Sequence, residues 1–198
     1  MNASRALIIA AAVPVTIALG WALFVTLPGR VATTLPSDAT GAPATSGADT
    51  ADRKIKARLF YVADDGRTLT SVEQDVPFAE RPVDQAKAIV TAQLAPVAEP
   101  IVSAIPAGTT LRALFITGSE AYVDLSRELA ANHPGGSMHE RLTVETIISA
   151  LTANLPAVTS VQILVDGKEV DTIAGHVDIR RPLARDTSLV REGEAAPQ

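Results

Sequence analysis

The side chains that could bind a metal ion are few in this sequence and stand far apart. It contains three histidines, His133, His139 and His176, and no cysteine. A zinc site needs several such ligands that converge from a rigid element. None of these histidines stands four positions from another or forms a short ligand pair, so we interpret them as loop residues and predict no metal site.

Aspartates at the ends of predicted strands are the other candidates for chemistry. Two carboxylates whose pKa values differ can together hydrolyse a glycosidic bond. His176 and Asp178 would lie on the same face if both were on a strand, because alternate residues of a strand point to the same side. Aspartate is also common at turns, where it bonds the local backbone, and we prefer that interpretation. The alternative to this structural role is that Asp124, Asp166 and His176 form the site of an envelope hydrolase or ligand-binding domain that acts on cell-wall material. The aspartates weighed are Asp124, Asp166, Asp171 and Asp178.

A serine and a glycine pair are the remaining candidates for chemistry. Ser126 follows a predicted strand but lacks the G-x-S-x-G elbow of a serine hydrolase. The glycine pair in "HPGGSMHE" precedes a helix but lacks the spacing and the lysine of a phosphate loop. We therefore predict no enzyme, no cofactor, and no catalytic, cofactor-binding or metal-binding residue.

The elements that position these residues begin with a hairpin and a helix. "KIKARLFYVA" alternates like a strand, "DDG" at 64–66 forms a turn, and a second strand ends before Pro77. A helix follows in "RPVDQAKAIVTAQLA" and stops at Pro96. The loop after it should be stiff and irregular, because prolines 96, 100 and 106 restrict its backbone. The apolar face of the helix comprises Val83, Ala86, Ile89, Val90 and Leu94.

The second half of this region repeats the order of strands and helix. "LRALFIT" and "AYVDL" predict a hairpin, and "SRELAANHPGGS" predicts a short helical turn and a loop. The spacing of Ser137 and Glu140 predicts a capping box at the start of a second long helix. A strand over "VTSVQILV" then ends at Asp166 and Gly167, which predict a type I′ turn and a short return strand. The apolar stripe of the second helix comprises Val144, Ile147, Ile148, Leu151 and Leu155.

The order β-β-α-β-β-α-β predicts the fold class. We expect an α+β two-layer sandwich, in which a small mixed or antiparallel sheet carries two helices on one face. The mild acidity, with 17 Lys and Arg against 22 Asp and Glu, argues against a general nucleic-acid binder.

An uncharged apolar segment precedes this region. Ala6–Leu27 is long enough to span a bilayer and longer than the apolar core of a cleaved signal peptide, so we predict a transmembrane signal anchor over residues 1–27. Arg5 places the N-terminus in the cytoplasm and the remainder outside the cytoplasmic membrane. From their composition, we predict that residues 28–53 form a flexible linker, residues 54–190 the domain and residues 191–198 a disordered tail. A secreted domain released by signal cleavage is the alternative.

Three blocks of the sequence occur in a characteristic order: "ARLFYVADDGRTLTSVEQDVP", "IVSAIPAGTTLRALFITGSEAYVDLS" and "LTVETIISALTANLPAVTSVQILVDGKEV", the last followed by "AGHVDIRRPL". Together they resemble the GerMN domain family of sporulation and spore-germination proteins and LpqB-type lipoproteins. The resemblance covers about residues 55–185. It implies a small extracytoplasmic domain for binding or assembly, similar in fold to ring-building motifs of envelope secretion machines, with no catalytic residues to carry over. Many family members are lipoproteins, whereas this chain has no cysteine to carry a lipid.

These observations together favour a membrane-anchored interaction module of the bacterial cell envelope. A link to sporulation or germination is what the family resemblance alone implies. We expect an envelope or membrane protein as its partner and the inner membrane as its site of attachment through Ala6–Leu27. The sequence is compatible with either a monomer or a homo-oligomer. We expect no nucleic-acid partner.

Overall fold

The computed structural model describes residues 53–191, which form an α+β domain with three α-helices. The predicted anchor Ala6–Leu27, most of the linker and residues 192–198 lie outside the described part. Within residues 53–191, no helix combines the length and apolar character needed to cross a membrane. The elements are β1 (Lys54–Val62), β2 (Leu69–Pro77), α1 (Pro82–Gln93), β3 (Leu111–Thr117), β4 (Glu120–Leu125), α2 (Glu128–Ala131), α3 (Ser137–Thr152), β5 (Ser160–Val165), β6 (Lys168–Glu169), β7 (Leu183–Ala184), a 3-10 turn (Thr187–Leu189) and β8 (Val190–Arg191).

The strands form two sheets, so the prediction of a single sheet was wrong. One sheet has the order β1-β2-β8, and the other has the order β3-β4-β5-β6 with β7 also paired to β5. Both sheets are mixed, because β2 pairs with β8 and β4 pairs with β5 in parallel. The two predicted hairpins are confirmed as β1-β2 and β3-β4. Each is local in sequence, whereas the parallel pairs join distant segments, which periodicity cannot reveal.

The two long helices, α1 and α3, contribute side chains to two hydrophobic cores. In the first core, Val90 of α1 and Ile147 of α3 pack with the inward faces of β3, β4 and β5. In the second, Ile89 of α1 and Ala150 of α3 pack with residues of β1 and β2. Neighbouring positions of each helix therefore contribute to different cores. The predicted arrangement, in which both helices cover one face of a single sheet, was wrong. Both predicted helices are confirmed, although α3 ends before Leu155.

The predicted capping box at the start of α3 was wrong. The N-cap residue is Gly136, at φ 84°, and no side chain bonds the first turn there. Ser137 is instead the first helical residue, and the Glu140 carboxylate turns towards the loop at residues 173–176. The sequence has the spacing of a capping box, but the Glu140 carboxylate bonds the distant loop instead of the start of its own helix.

The predicted turn after β5 is confirmed by its backbone. Asp166 and Gly167 have φ values of 55° and 79°, as a type I′ turn requires, and β6 is the short return strand. The Gly167 N–H also donates to Asp124 Oδ1 at 2.7 Å. The turn is thereby tied to the end of β4.

We expect Gly167→Val to lower the free energy of unfolding by about 1–3 kcal/mol, because a β-branched residue is strained at positive φ. A Cβ at Gly167 would meet Asp124 Oδ2 at 3.9 Å, an ordinary contact, so the cost comes from the backbone. Gly167→Asn is the matched control, since asparagine tolerates this conformation. Urea denaturation measures both variants, and an unchanged midpoint for Gly167→Val would contradict the expectation.

Candidate functional site

A cleft of about 770 Å³ is the candidate binding site, and it lies against the loop that contains the three prolines. We call it the proline cleft. Its walls are the end of β1 and the following turn (62–64 and 66), the segment after α1 (94–97), the loop at 100 and 102–108, and the start of α3 with Pro134. Most of these side chains are apolar. The large side chain of Val102 is 56% exposed there.

The loop that forms one wall of the cleft is held in place by hydrogen bonds to other elements. Its Val102 carbonyl accepts from the Val62 N–H of β1 at 2.9 Å, and its Ala104 carbonyl accepts from the Thr143 hydroxyl of α3 at 2.7 Å. The Asn132 amide donates to the Ala107 carbonyl at 3.0 Å. The cleft is therefore formed before any ligand arrives, which lowers the entropic cost of binding.

His133 is linked to this wall of the cleft through Thr143. Its Nδ1 accepts from the Gly135 N–H at 3.0 Å, so a neutral ring carries its proton on Nε2, which lies 3.1 Å from the Thr143 hydroxyl. Thr143 in turn donates to Ala104 in the cleft wall. Burial lowers the pKa of His133 from its ordinary 6.5, against the opposing influence of the Glu140 charge. Protonation of Nδ1 would also break the bond from Gly135.

We expect the domain to lose stability as the pH falls from about 7 through the pKa of His133, which lies below the ordinary value of 6.5. The unfolded chain binds the proton more readily than the folded one, so stability rises with pH in this window. An NMR titration of the His133 ring should give a pKa below 6.5. The His133→Gln variant should show a weaker pH dependence of its urea midpoint, and an identical dependence would contradict the assignment.

Glu140 is a fully buried carboxylate that binds the loop after β6. Its Oε1 accepts from the N–H groups of Ile173 and Ala174, both at 2.9 Å. Its Oε2 accepts from the His176 N–H at 2.8 Å and lies 3.1 Å from the His176 Nδ1. Burial alone would raise the pKa of Glu140, but these backbone donors outweigh burial and hold the pKa below 4.5. Glu140 therefore holds this loop as an ionised group.

The structure brings Asp124 and Asp166 together through an arginine. Arg112 donates to Asp124 Oδ2 at 3.1 Å and to Asp166 Oδ1 at 2.6 Å. Neither aspartate lines the proline cleft, and His176 is bound to Glu140 instead. The three residues of the hydrolase alternative thus do not share one site.

The remaining sequence candidates occupy separate structural positions. Neither His176 nor Asp178 lies on a strand, so the shared face that a strand would give them does not form. Asp178 pairs with Arg180 at 2.6 Å. The Asp171 carbonyl accepts from the Ile179 N–H. The Ser126 hydroxyl accepts from the Thr110 N–H at 3.0 Å. Among the described residues, no group of three or more histidines, aspartates or glutamates is arranged to hold a metal ion. Of the candidates, His139 alone lines the proline cleft.

Two amide side chains that the sequence did not single out bond the outer edge of β1. The buried Gln93 accepts from the Phe60 N–H and donates to the Phe60 carbonyl, both at 2.8 Å. Asn154 does the same for Arg58, again at 2.8 Å in both directions. A strand edge with unpaired N–H and C=O groups can pair with other chains, and these amides satisfy two of its residues.

Comparison with known families then identifies the domain. The profile of the family described as "Germane: Sporulation and spore germination" matches residues 58–171, more than half of the chain. The chain belongs to the Germane family. The resemblance to GerMN domains drawn from its sequence blocks is thereby confirmed. No curated protein matches the chain significantly.

Solved structures similar to this Germane domain include a candidate lipoprotein from Clostridium perfringens, with 23% identity, 68% of this chain and 89% of that chain covered, and a TM-score of 0.49. The tandem GerMN domains of the sporulation protein GerM from Bacillus subtilis share 16% identity over 68% of this chain and 46% of that chain, with a TM-score of 0.49. The first GerMN domain of the same protein shares 19% identity over 67% and 96%, with a TM-score of 0.48.

Proposed function

We propose that this Germane-family chain is a membrane-anchored, extracytoplasmic interaction module of the bacterial cell envelope, linked to sporulation or germination. The observation that carries the proposal is the proline cleft, a preformed concave site whose lining is mainly apolar. Such a lining suits binding, since apolar walls supply contact area while a few polar groups give orientation.

The contacts around the cleft support a role in recognition. Its loop is fixed to β1, to α3 and to Asn132, so the cleft does not depend on a ligand for its shape. The exposed Val102 in its wall would lose water-accessible apolar surface when a partner binds, which favours association. The titratable groups in its lining are Asp64 and His139. His139 Nδ1 lies 3.2 Å from the Gly135 carbonyl oxygen, and no hydrogen bond joins His139 to Asp64 within residues 53–191.

The membrane part of the proposal rests on Ala6–Leu27, which has the length and composition of a transmembrane anchor. With Arg5 on the cytoplasmic side, the Germane domain would face the outside of the cell. Sequencing the N-terminus of the protein isolated from membranes tests this. A retained Met1 or Asn2 supports the anchor, and a new N-terminus after the apolar segment shows a cleaved signal.

The interaction itself is tested by photo-crosslinking of the full chain in its native envelope. A benzophenone amino acid replaces Val102 in the cleft or, as the matched control, Glu73 on the exposed side of β2. We expect the Val102 position to form a discrete adduct with an envelope protein, which mass spectrometry identifies. Adducts no stronger at position 102 than at position 73 would overturn the proposal.

A further inference from the structure

We propose that the proline cleft binds a short peptide segment of its partner in which a lysine or arginine adjoins apolar residues, with the basic side chain placed against Asp64. This inference rests on the proposed interaction function and specifies the chemistry of the partner. It is carried by the distribution of charge around the cleft.

Asp64 is the one carboxylate in the lining of the cleft, and the lining contains no lysine or arginine. Its side chain is exposed and makes no ion pair with any residue between 53 and 191. A partner that enters the cleft would therefore meet a single unneutralised negative charge beside apolar walls. A basic side chain complements that charge and forms a strong, charge-assisted hydrogen bond.

The neighbouring aspartate shows that the charge of Asp64 is not needed to form the turn. Asp65 accepts from the N–H groups of Arg67 and Thr68 at 2.8 and 3.0 Å, and Arg191 bonds it at 2.7 Å. These bonds lower the pKa of Asp65 to about 2. Asp65 thus fixes the turn between β1 and β2, whereas Asp64 projects its charge from that fixed turn without an internal partner.

The apolar part of the peptide is specified by Val102, whose strand partner Val62 lies two residues before Asp64. Val102 is held by its backbone bond to Val62, and its exposed side chain stands in the same cleft as Asp64. A volume of about 770 Å³ suits a few residues of a peptide rather than a folded domain. The cleft therefore selects a short segment that presents one cation and apolar side chains together.

The experiment selects binders to the full chain, purified in mild detergent, from a random heptapeptide library displayed on phage. Parallel selections use Asp64→Asn, which removes the charge, Val102→Asn, which makes the wall polar without adding a charge, and Glu73→Gln as the matched control away from the cleft. We expect the wild type and Glu73→Gln to enrich peptides with lysine or arginine next to apolar residues. A synthetic peptide from the selection should bind Asp64→Asn at least about fivefold more weakly, and its norleucine analogue should bind both proteins alike.

The outcomes separate this inference from the proposed function. Selected peptides without a basic preference, the same preference on Asp64→Asn, or no enrichment over Val102→Asn would overturn the cationic peptide. A partner crosslinked at position 102 in the same case would leave the interaction function standing. If no partner crosslinks at position 102 either, both the cationic peptide and the proposed interaction function would be contradicted.

Discussion

Replacing Glu140 by alanine is expected to lower the free energy of unfolding by about 3–5 kcal/mol, the largest effect of any substitution we consider. The carboxylate is 0% exposed and accepts from the N–H groups of Ile173, Ala174 and His176. Alanine would leave these donors without an acceptor, and the N–H of the buried Ile173 could not readily bond water instead. It would also open a cavity at the start of α3.

The matched control for Glu140→Ala is Glu73→Ala, because Glu73 is exposed on β2 and its loss should change stability by less than about 0.5 kcal/mol. Urea denaturation gives both values. Hydrogen exchange adds a local measure, since the amides of residues 173–176 should exchange faster in Glu140→Ala. If the two variants had equal midpoints, the Glu140 carboxylate would not be what holds this loop.

Glu140 also predicts a response to acid. Its pKa lies below the ordinary 4.5 in the folded state, so the unfolded chain takes up the proton first as the pH falls. The stability that this group contributes is complete above about pH 4.5 and is lost as the pH falls through its folded pKa. Glu140→Ala should accordingly lose less stability than the wild type over that acidic range.

Replacing Gln93 by alanine is the second large effect, with an expected loss of about 2–4 kcal/mol. Gln93 is 2% exposed, and its amide satisfies both backbone groups of Phe60, which is itself fully buried. Both groups would lose their partner in a dry environment, and β1 would lose a direct bond to α1.

Asn154→Ala provides the matched comparison for Gln93→Ala, because Asn154 makes the same pair of bonds to Arg58 at an exposed position. Water can replace an exposed hydrogen-bond partner, so we expect a loss of about 1 kcal/mol or less. Denaturation midpoints of the two variants should therefore differ clearly. Equal losses would show that burial does not set the value of these amides.

Local structure was readable from the sequence, and long-range pairing was not. The alternation in β1 and the apolar stripe of α3 gave these elements because each pattern depends on residues a few positions apart. The parallel pairs β2-β8 and β4-β5 depend on segments far apart, so one predicted sheet became two. The spacing of Ser137 and Glu140 misled for the same reason, since the partner of Glu140 lies more than thirty residues away.

The candidate site was readable only in part. The three prolines predicted a stiff loop, and the loop is indeed one wall of the cleft. Its anchors, among them Thr143 to Ala104 and Asn132 to Ala107, join residues that no spacing rule connects. The free charge of Asp64 could not be separated from that of Asp65 in "DDG", because only the folded turn shows that Asp65 accepts from the Arg67 and Thr68 N–H groups and pairs with the distant Arg191.

The strand β8 has a consequence for how the domain is made. It pairs with Leu69 and Thr70 of β2, and Arg191 reaches Asp65 across 126 positions of sequence. The sheet that contains the first hairpin is therefore complete only after residues 190 and 191, at the end of the described domain, have been synthesised. Contacts of such long range slow folding. We expect this hairpin to be the part of the nascent chain that needs protection for longest after it leaves the ribosome.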